Sequence, residues 1–294
     1  MEFTFYYYTP SAAAGGIFAG LFGLCTILHL YQLLRTKTWF MIPFMVGAAL
    51  ETVGYIGRVL SSVEAPDFTK GPYVMQSALI LIAPAFLAAS IYMTLGRIIA
   101  MLDAERCSII PLRFLTKIFV AGDVLSFLMQ ASGAGIMVKD TNSADTGEKI
   151  IVGGLFVQII FFAFFVATAA IFEIRMARRR VAIPSELAGI WRRHMVALCF
   201  TSVLILIRSV IRVVEYLMGY DSYMMKQEVF IYVFDALLMF IVGFALNWCH
   251  PSEVNCAVGR GEMYFTRVVA VRKFAVPAME MEVEVEEGRR SSRK

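Results

Sequence analysis

The chain has 294 residues, of which 59% are hydrophobic and 17% charged, with a mean hydropathy of +0.70. That composition excludes a single soluble core: apolar stretches of about 20 residues recur between polar breaks, the length that crosses a hydrocarbon layer of ~30 Å. The net charge of +4 is no sign of nucleic-acid binding, because the basic residues fall in loops beside the apolar stretches, where membrane topology accounts for them.

The chain opens MEFTFYYYTP. It lacks the basic start of a cleaved signal peptide, so the first hydrophobic segment is expected to stay as a helix, with residues 1–12 outside and Tyr6, Tyr7 and Tyr8 at the interface. Seven membrane spans follow, over residues 13–34, 40–61, 73–100, 114–138, 150–172, 195–218 and 228–248. The third carries Pro84 at its middle, where a kink is expected. The fold class is therefore an all-α membrane protein, a seven-helix bundle occupying residues 13–250, and residues 251–294 are expected to form a mostly disordered cytoplasmic tail.

Lys and Arg set the orientation. With the N-terminus outside, the inner loops hold Arg35, Lys37, Arg97, Arg106, Arg113, Lys117, Arg175, Arg178, Arg179, Arg180, Arg192 and Arg193, and the tail adds eight more. The outer loops hold only Lys70, Lys139, Lys149 and Lys226. The bias predicts N-out and C-in, and hence an odd number of crossings. The tail sequence AMEMEVEVEEGRRSSRK alternates acid and apolar residues like an edge strand, but no partner strand is evident, so a solvated segment is expected. Its RRSSRK end could touch anionic lipid or accept a phosphate. There is no internal repeat and no outer Asn-X-Ser/Thr acceptor.

Cys25, Cys107, Cys199, Cys249 and Cys256 are scattered with no CxxC, so neither a zinc site nor a disulfide framework is expected. Cys107, Cys249 and Cys256 lie near span ends, where palmitoylation is one reading and free thiols the other. His29, His194 and His250 have no metal-ligand spacing. Gly16 and Gly20 form a GxxxG pair, and Gly133, Gly135, Gly153 and Gly154 suit close helix contact. No GxSxG, HExxH or phosphate-loop motif occurs, so no enzyme activity, metal or cofactor is expected.

The informative residues are ionisable ones inside the spans. Each costs roughly 2.5–3.5 kcal/mol at mid-membrane on insertion scales, so they should face the bundle interior and pair. Arg208, Arg212 and Glu215 are spaced i, i+4, i+7 and share one helix face. Glu51 and Arg58 share a face of the second span, Asp123, Ser126 and Gln130 one of the fourth, and Glu228 and Asp235 one of the last. With Gln76 they predict a polar cavity, open or occluded, biased toward the outer leaflet. Two readings stand: a ligand pathway, or buried ion pairs that fix helix register. Arg58 and Arg212 could also snorkel toward headgroups.

The segments ALETVGYIGR, YVMQSALILIAPAFLAASIYMTLGRII, GDVLSFLMQASGAG, IRSVIRVVEYLMGY and EVFIYVFDALLMF, with a closing HP, resemble the fungal lipid-translocating exporter family, the RTA-like proteins linked to aminocholesterol resistance and sphingoid-base release. The resemblance implies a seven-helix, multi-pass plasma-membrane protein of fungi that exports or flips sphingoid long-chain bases and confers resistance to cationic amphiphiles; one branch handles porphyrin and haem. The family's motif positions fall here on Glu51, Gly54, Tyr55, Arg58, Gln76, Pro84, Tyr92, Arg97, Asp123, Gln130, Arg208, Arg212, Glu215, Tyr232 and Asp235.

Three functions follow. In a lipid translocator, Glu51, Glu215 or Asp235 would take an ammonium, Gln76 and Gln130 the hydroxyls, and a protonatable Asp123 or Glu51 would couple transport to protons. A seven-helix receptor or lipid sensor fits the same topology, although the third span ends LGRII and the last lacks NPxxY. A porphyrin or haem carrier would use Arg58 or Arg212 for propionates. The expected partner is a membrane lipid or amphiphilic small molecule, with a homo-oligomer possible and no nucleic acid.

Overall fold

A computed structural model describes residues 8–139, 144–179, 183, 185–218, 227–258, 264–267 and 270–273. The helices are α1 (Ala12–Thr36), α2 (Ile42–Val63), α3 (Lys70–Met101), α4 (Leu112–Lys139), α5 (Ala144–Arg179), α6 (Ser185–Leu217), α7 (Val229–Trp248) and the short α8 (Ser252–Ala257). Beyond them a small antiparallel pair joins β1 (Tyr264–Arg267) to β2 (Ala270–Lys273), with Tyr264 opposite Lys273. Six of the long helices, all but α4, are long and apolar enough to cross a membrane by length and composition. The 28-residue α4 has the length, so a helix stands wherever a span was expected.

Helix ends follow local chemistry more than hydropathy. Ser11 caps α1, its hydroxyl accepting from the Ala14 N–H at 3.3 Å, and the helix stops at Lys37 in the left-handed region. Pro43 occupies the first turn of α2, where its missing N–H is no loss; the free N–H of Phe44 donates to Ser90 Oγ at 2.9 Å. α5 runs to Arg179 and α6 starts at Ser185, several residues outside the apolar windows, because Ala, Met, Glu and Arg propagate a helix well beyond the hydrocarbon.

Apolar burial does not drive helices together inside a lipid phase, so close approach and polar contacts must. Gly54 shows this best: a Cβ there would sit 2.7 Å from Ile80 Cγ1, so α2 lies directly on α3. Gly154 does the same between α5 and α4, since its Cβ would meet the Ser126 carbonyl oxygen at 2.9 Å. Gly133 and Gly153 also abut neighbouring helices, whereas Gly135, Gly16 and Gly20 meet nothing within 4 Å. The α1 GxxxG pair therefore packs against no described part of the chain. Of the six helices apolar enough to cross a membrane, α3 is the most enclosed and α1 the least, and Tyr92 of α3 anchors an aromatic cluster with Phe119, Phe162 and Phe165. Ile17, Ile27, Ile160, Val196 and Val229 lie on the outer surface, as lipid-facing residues should.

α3 continues as one helix through Pro84. One expectation changes. The bundle does not stop at residue 250: Ser252–Ala257 forms α8, whose first five residues are buried, because Glu253 and Val254 have partners in the bundle. The acid–apolar run expected in the tail, and Tyr6 and Tyr7, lie outside the described residues. Among the described residues no disulfide is formed. Cys107 and Cys256 are buried and Cys249 is half-buried, which makes the first two poor palmitoylation sites.

Candidate functional site

The site begins with a proline. Pro84 has no N–H, so the carbonyl of Ile80, four residues earlier, lacks its helical donor. Arg208 on α6 takes that carbonyl, Nη2 to oxygen 3.0 Å. The one helical hydrogen bond that Pro84 removes from α3 thus leaves an acceptor for a buried guanidinium. The opposite wall is α7, whose middle turn, Tyr232–Ala236, is a π-turn; such bulges re-aim side chains and recur at functional sites. Here it carries Asp235 inward, 3% exposed. Asp235 binds both arginines of α6: Oδ1 accepts from Arg208 Nε, and Oδ2 accepts from Arg212 Nη2 at 3.2 Å. Arg212 Nη1 also donates to Glu215 Oε2 at 3.0 Å. The i, i+4, i+7 face read from the sequence is thus a real ionic ladder closed by one shared aspartate.

Arg58 forms a second node. Its Nε donates to the Tyr232 hydroxyl at 2.9 Å, Nη2 to Glu228 Oε1 at 3.0 Å and to the Tyr8 hydroxyl at 2.7 Å, and Nη1 reaches Gln76 Oε1 at 3.5 Å. It also lies over the rings of Tyr8 and Tyr232. Glu228 Oε1 further accepts from the Tyr232 hydroxyl and from the Ser11 N–H at 2.8 Å. The seven-residue spacings on α2 and α7 explain the pairing. Running antiparallel, the two helices set Glu51 beside Asp235 and, two turns on, Arg58 beside Glu228.

Between the nodes lie Glu51 and Tyr55. Glu51 is within electrostatic reach of Asp235, Arg208 and Arg212; it is fully buried, and neither of its carboxylate oxygens has a hydrogen-bond partner among the described residues. Tyr55 stacks on Phe22 at 5.5 Å, and its hydroxyl is likewise unpartnered.

Among the described residues the charges converge on no open chamber. What separates α6 from α7 is a narrow cleft of about 270 Å³, counted to its open mouth and lined by Arg208, Arg212, Glu215 and Asp235 on its ionic side and Ile211, Phe230, Ile231 and Phe234 on its apolar side. Inside it there is room for barely one water. The ion pairs themselves fill the expected cavity.

The α4 residues are placed elsewhere. Gln130 Nε2 donates to Ser126 Oγ at 2.6 Å and to Gln158 Oε1 at 3.3 Å, and Ser126 Oγ donates to the Gly154 carbonyl. Asp123 neighbours Tyr92 of α3. These contacts run to α3 and α5, forming a polar seam separate from the α2–α6–α7 network. The described contacts of Asp123, Ser126 and Gln130 therefore do not bring α4 into the ionic centre.

Sequence reasoning missed Tyr8 and underused Glu228. For Glu228 the signal was present, since it precedes Asp235 by seven residues on one face; for Tyr8 nothing local distinguishes it from Tyr6 and Tyr7. It also missed the end of the bundle where α8 docks. There Glu253 accepts from His194 Nε2 at 3.1 Å and pairs with Arg193, and the His29 and His250 rings lie 6.2 Å apart. The three histidines do approach one another, yet no cluster among the described residues could hold a metal ion.

Comparison with known proteins places the chain. The model of the family described as RTA1 like protein matches residues 44–256, which spans both nodes apart from Tyr8 and Ser11. Protoporphyrin uptake protein 1 of Saccharomyces cerevisiae is 38% identical over 280 residues, 83% of this chain and 91% of the relative. The probable lipid transporter atnI of Emericella nidulans is 30% identical over 260 residues, covering 84% and 67%. Sphingoid long-chain base transporter RSB1 of Saccharomyces cerevisiae is 27% identical over 267 residues, covering 79% and 69%. No solved structure shows significant similarity. By both the family match and its relatives, the chain belongs to the RTA1-like protein family.

Proposed function

We propose that this protein translocates cationic amphiphilic lipids, sphingoid long-chain bases foremost, across the plasma membrane, with seven crossings, the N-terminus outside and the C-terminus in the cytoplasm. The observation that carries the reading is the α6–α7 cleft, one side ionic and the other made of Ile211, Phe230, Ile231 and Phe234. A long-chain base has the same division. Its ammonium would displace Arg212 from Glu215 or Asp235, and its chain would lie along the apolar wall. Of the four ionic side chains that line the cleft, Glu215 and Arg212 are the half-buried ones and Arg208 and Asp235 the buried ones, so the first two are the ones an incoming headgroup meets first. Arg58, Gln76 and Tyr232 offer donors and acceptors for hydroxyls one node further on, while Asp123 and Gln130 line the separate α4–α5 seam. The closed cleft is then the resting state, opened when substrate exchanges for an internal ion pair. In a reconstituted flip assay with a fluorescent long-chain base, Glu215→Gln should cut flux severely while the protein stays monodisperse. Unchanged flux in Glu215→Gln and in Asp235→Asn would overturn the assignment.

A second reading, a porphyrin carrier, has its own support. Arg212 Nε is buried and unpartnered among the described residues, which suits it to donate to a propionate, and one relative is named for protoporphyrin uptake. A Soret band that shifts when protoporphyrin is added to purified protein, and does so less in Arg212→Gln, would favour this carrier over the lipid translocator.

A further inference from the structure

We infer that Glu51 is a proton-binding site that controls the Arg208–Asp235–Arg212 network, an inference that rests on the translocator reading for its purpose but not for its geometry. In the network each cation has its own anion: Arg58 is paired with Glu228, Arg208 with Asp235, and Arg212 with Glu215 as well as Asp235. Glu51 is the surplus acid, facing among the described residues the cations Arg208 and Arg212 of α6, both already paired. It is buried at the centre of three helices, and neither oxygen accepts a hydrogen bond from a described residue.

A carboxylate so placed is tolerated in two ways. It can be the neutral acid, or it can be an anion that has taken a guanidinium. The titratable and charged groups facing it are Arg208 and Arg212 from α6, Asp235 from α7 and Tyr55 from its own helix. Both arginines are held by Asp235 in the closed arrangement. When Glu51 releases its proton, it competes with Asp235 for the same two guanidinia. An arginine that crosses to Glu51 frees one oxygen of Asp235 to accept an external cation, while the other stays with the second arginine. Rebinding of one proton at Glu51 returns the arginine to Asp235 and expels that cation. The step balances as one proton out for one organic cation in, with no other co-reactant. Asp123, the other acid considered for this role, neighbours Tyr92 rather than any arginine of the network, and so has nothing to exchange.

The test is infrared difference spectroscopy on the purified full chain in lipid, without substrate, comparing neutral with alkaline pH. A protonated-carboxyl carbonyl band should be present at neutral pH, be lost in Glu51→Gln and shift in Asp235→Asn. Gln is the closest mimic of the neutral acid, so the variant should fold, and Asp123→Asn serves as the control. A band that persists in Glu51→Gln, or that disappears only in Asp123→Asn, would overturn the assignment. The same proteins in vesicles with an imposed pH gradient report on coupling: wild-type flux of a fluorescent long-chain base should depend on the gradient, and flux in Glu51→Gln should not. Flux in Glu51→Gln that keeps the wild-type gradient dependence would also refute it. If the Glu51 band is present and titrates but no flux occurs in any protein, the translocator reading fails while the proton site stands.

Discussion

Asp235 is shared by the buried Arg208 and the half-buried Arg212, so Asp235→Asn is the most informative perturbation of stability. Arg208 and Asp235 are 2% and 3% exposed. Removing one member of a buried pair costs about 3–5 kcal/mol, because the partner charge is left uncompensated. Arg212 keeps Glu215, whereas Arg208 keeps no hydrogen-bonded anion among the described residues, only the Ile80 carbonyl, so the loss concentrates on Arg208. At roughly 2–4 °C per kcal/mol for a chain of this size, the melting temperature in detergent should fall by on the order of 10 °C. The decisive comparison is a double-mutant cycle. If the orphaned guanidinium is the cause, adding Arg208→Gln should recover much of the loss rather than add to it. The measurement is thermal unfolding followed by fluorescence-detected size exclusion. A single variant that melts within about a degree of wild type, or a double variant whose losses simply add, would refute the reasoning.

Three further outcomes are expected. Pro84→Ala would normally gain about 3 kcal/mol in a helix interior, but here residue 84 would reclaim the Ile80 carbonyl from Arg208, a charged hydrogen bond of about 1.5–3 kcal/mol. The melting temperature should therefore barely rise, and a full gain would show that the Arg208 contact is idle. Glu253→Gln should loosen α8 from Arg193 and His194 and speed protease cleavage between residues 248 and 258; an unchanged rate would mean that the apolar packing of Val254 alone holds it. Burial, reinforced by His29 and His194, pushes the imidazole of His250 well below its usual range. Folding thus favours the neutral ring, so its contribution is complete above the unfolded value of about 6.5 and is lost as pH falls below it, at up to ~1.4 kcal/mol per pH unit. Melting temperature against pH should fall less steeply below that value in His250→Gln than in wild type, and an unaltered slope would count against the prediction.

The helices were legible because membrane spans advertise themselves by length and hydropathy, and the polar face of α6 because i, i+4, i+7 spacing survives in any helix. What a linear reading cannot give is which face meets which. Asp123 looked equivalent to Asp235 in sequence, an acid within an apolar span, yet α4 turns it to Tyr92 of α3 while the π-turn of α7 swings Asp235 onto two arginines. That π-turn leaves no mark in YVFDA. Pro84 suggested a kink; its consequence is an acceptor for Arg208, visible only once α3 and α6 are packed. The end of the bundle was misjudged for a related reason: Ser252–Ala257 is too short and too polar to score as a span, and its burial depends on Glu253 finding Arg193 and His194. The cavity was overestimated because spacing reports where charges point, and the space left between them depends on how far the side chains reach.

Native mass spectrometry of the protein purified from its membrane in mild detergent tests the central claim most directly, because it weighs what the α6–α7 cleft retains. The expected result is a co-purifying amphiphile that carries both an amine and a long chain, held by wild type and lost from Glu215→Gln. A protein that carries no such molecule, or that retains it equally in Glu215→Gln and Asp235→Asn, would contradict the assignment of this ionic cleft to lipid headgroups.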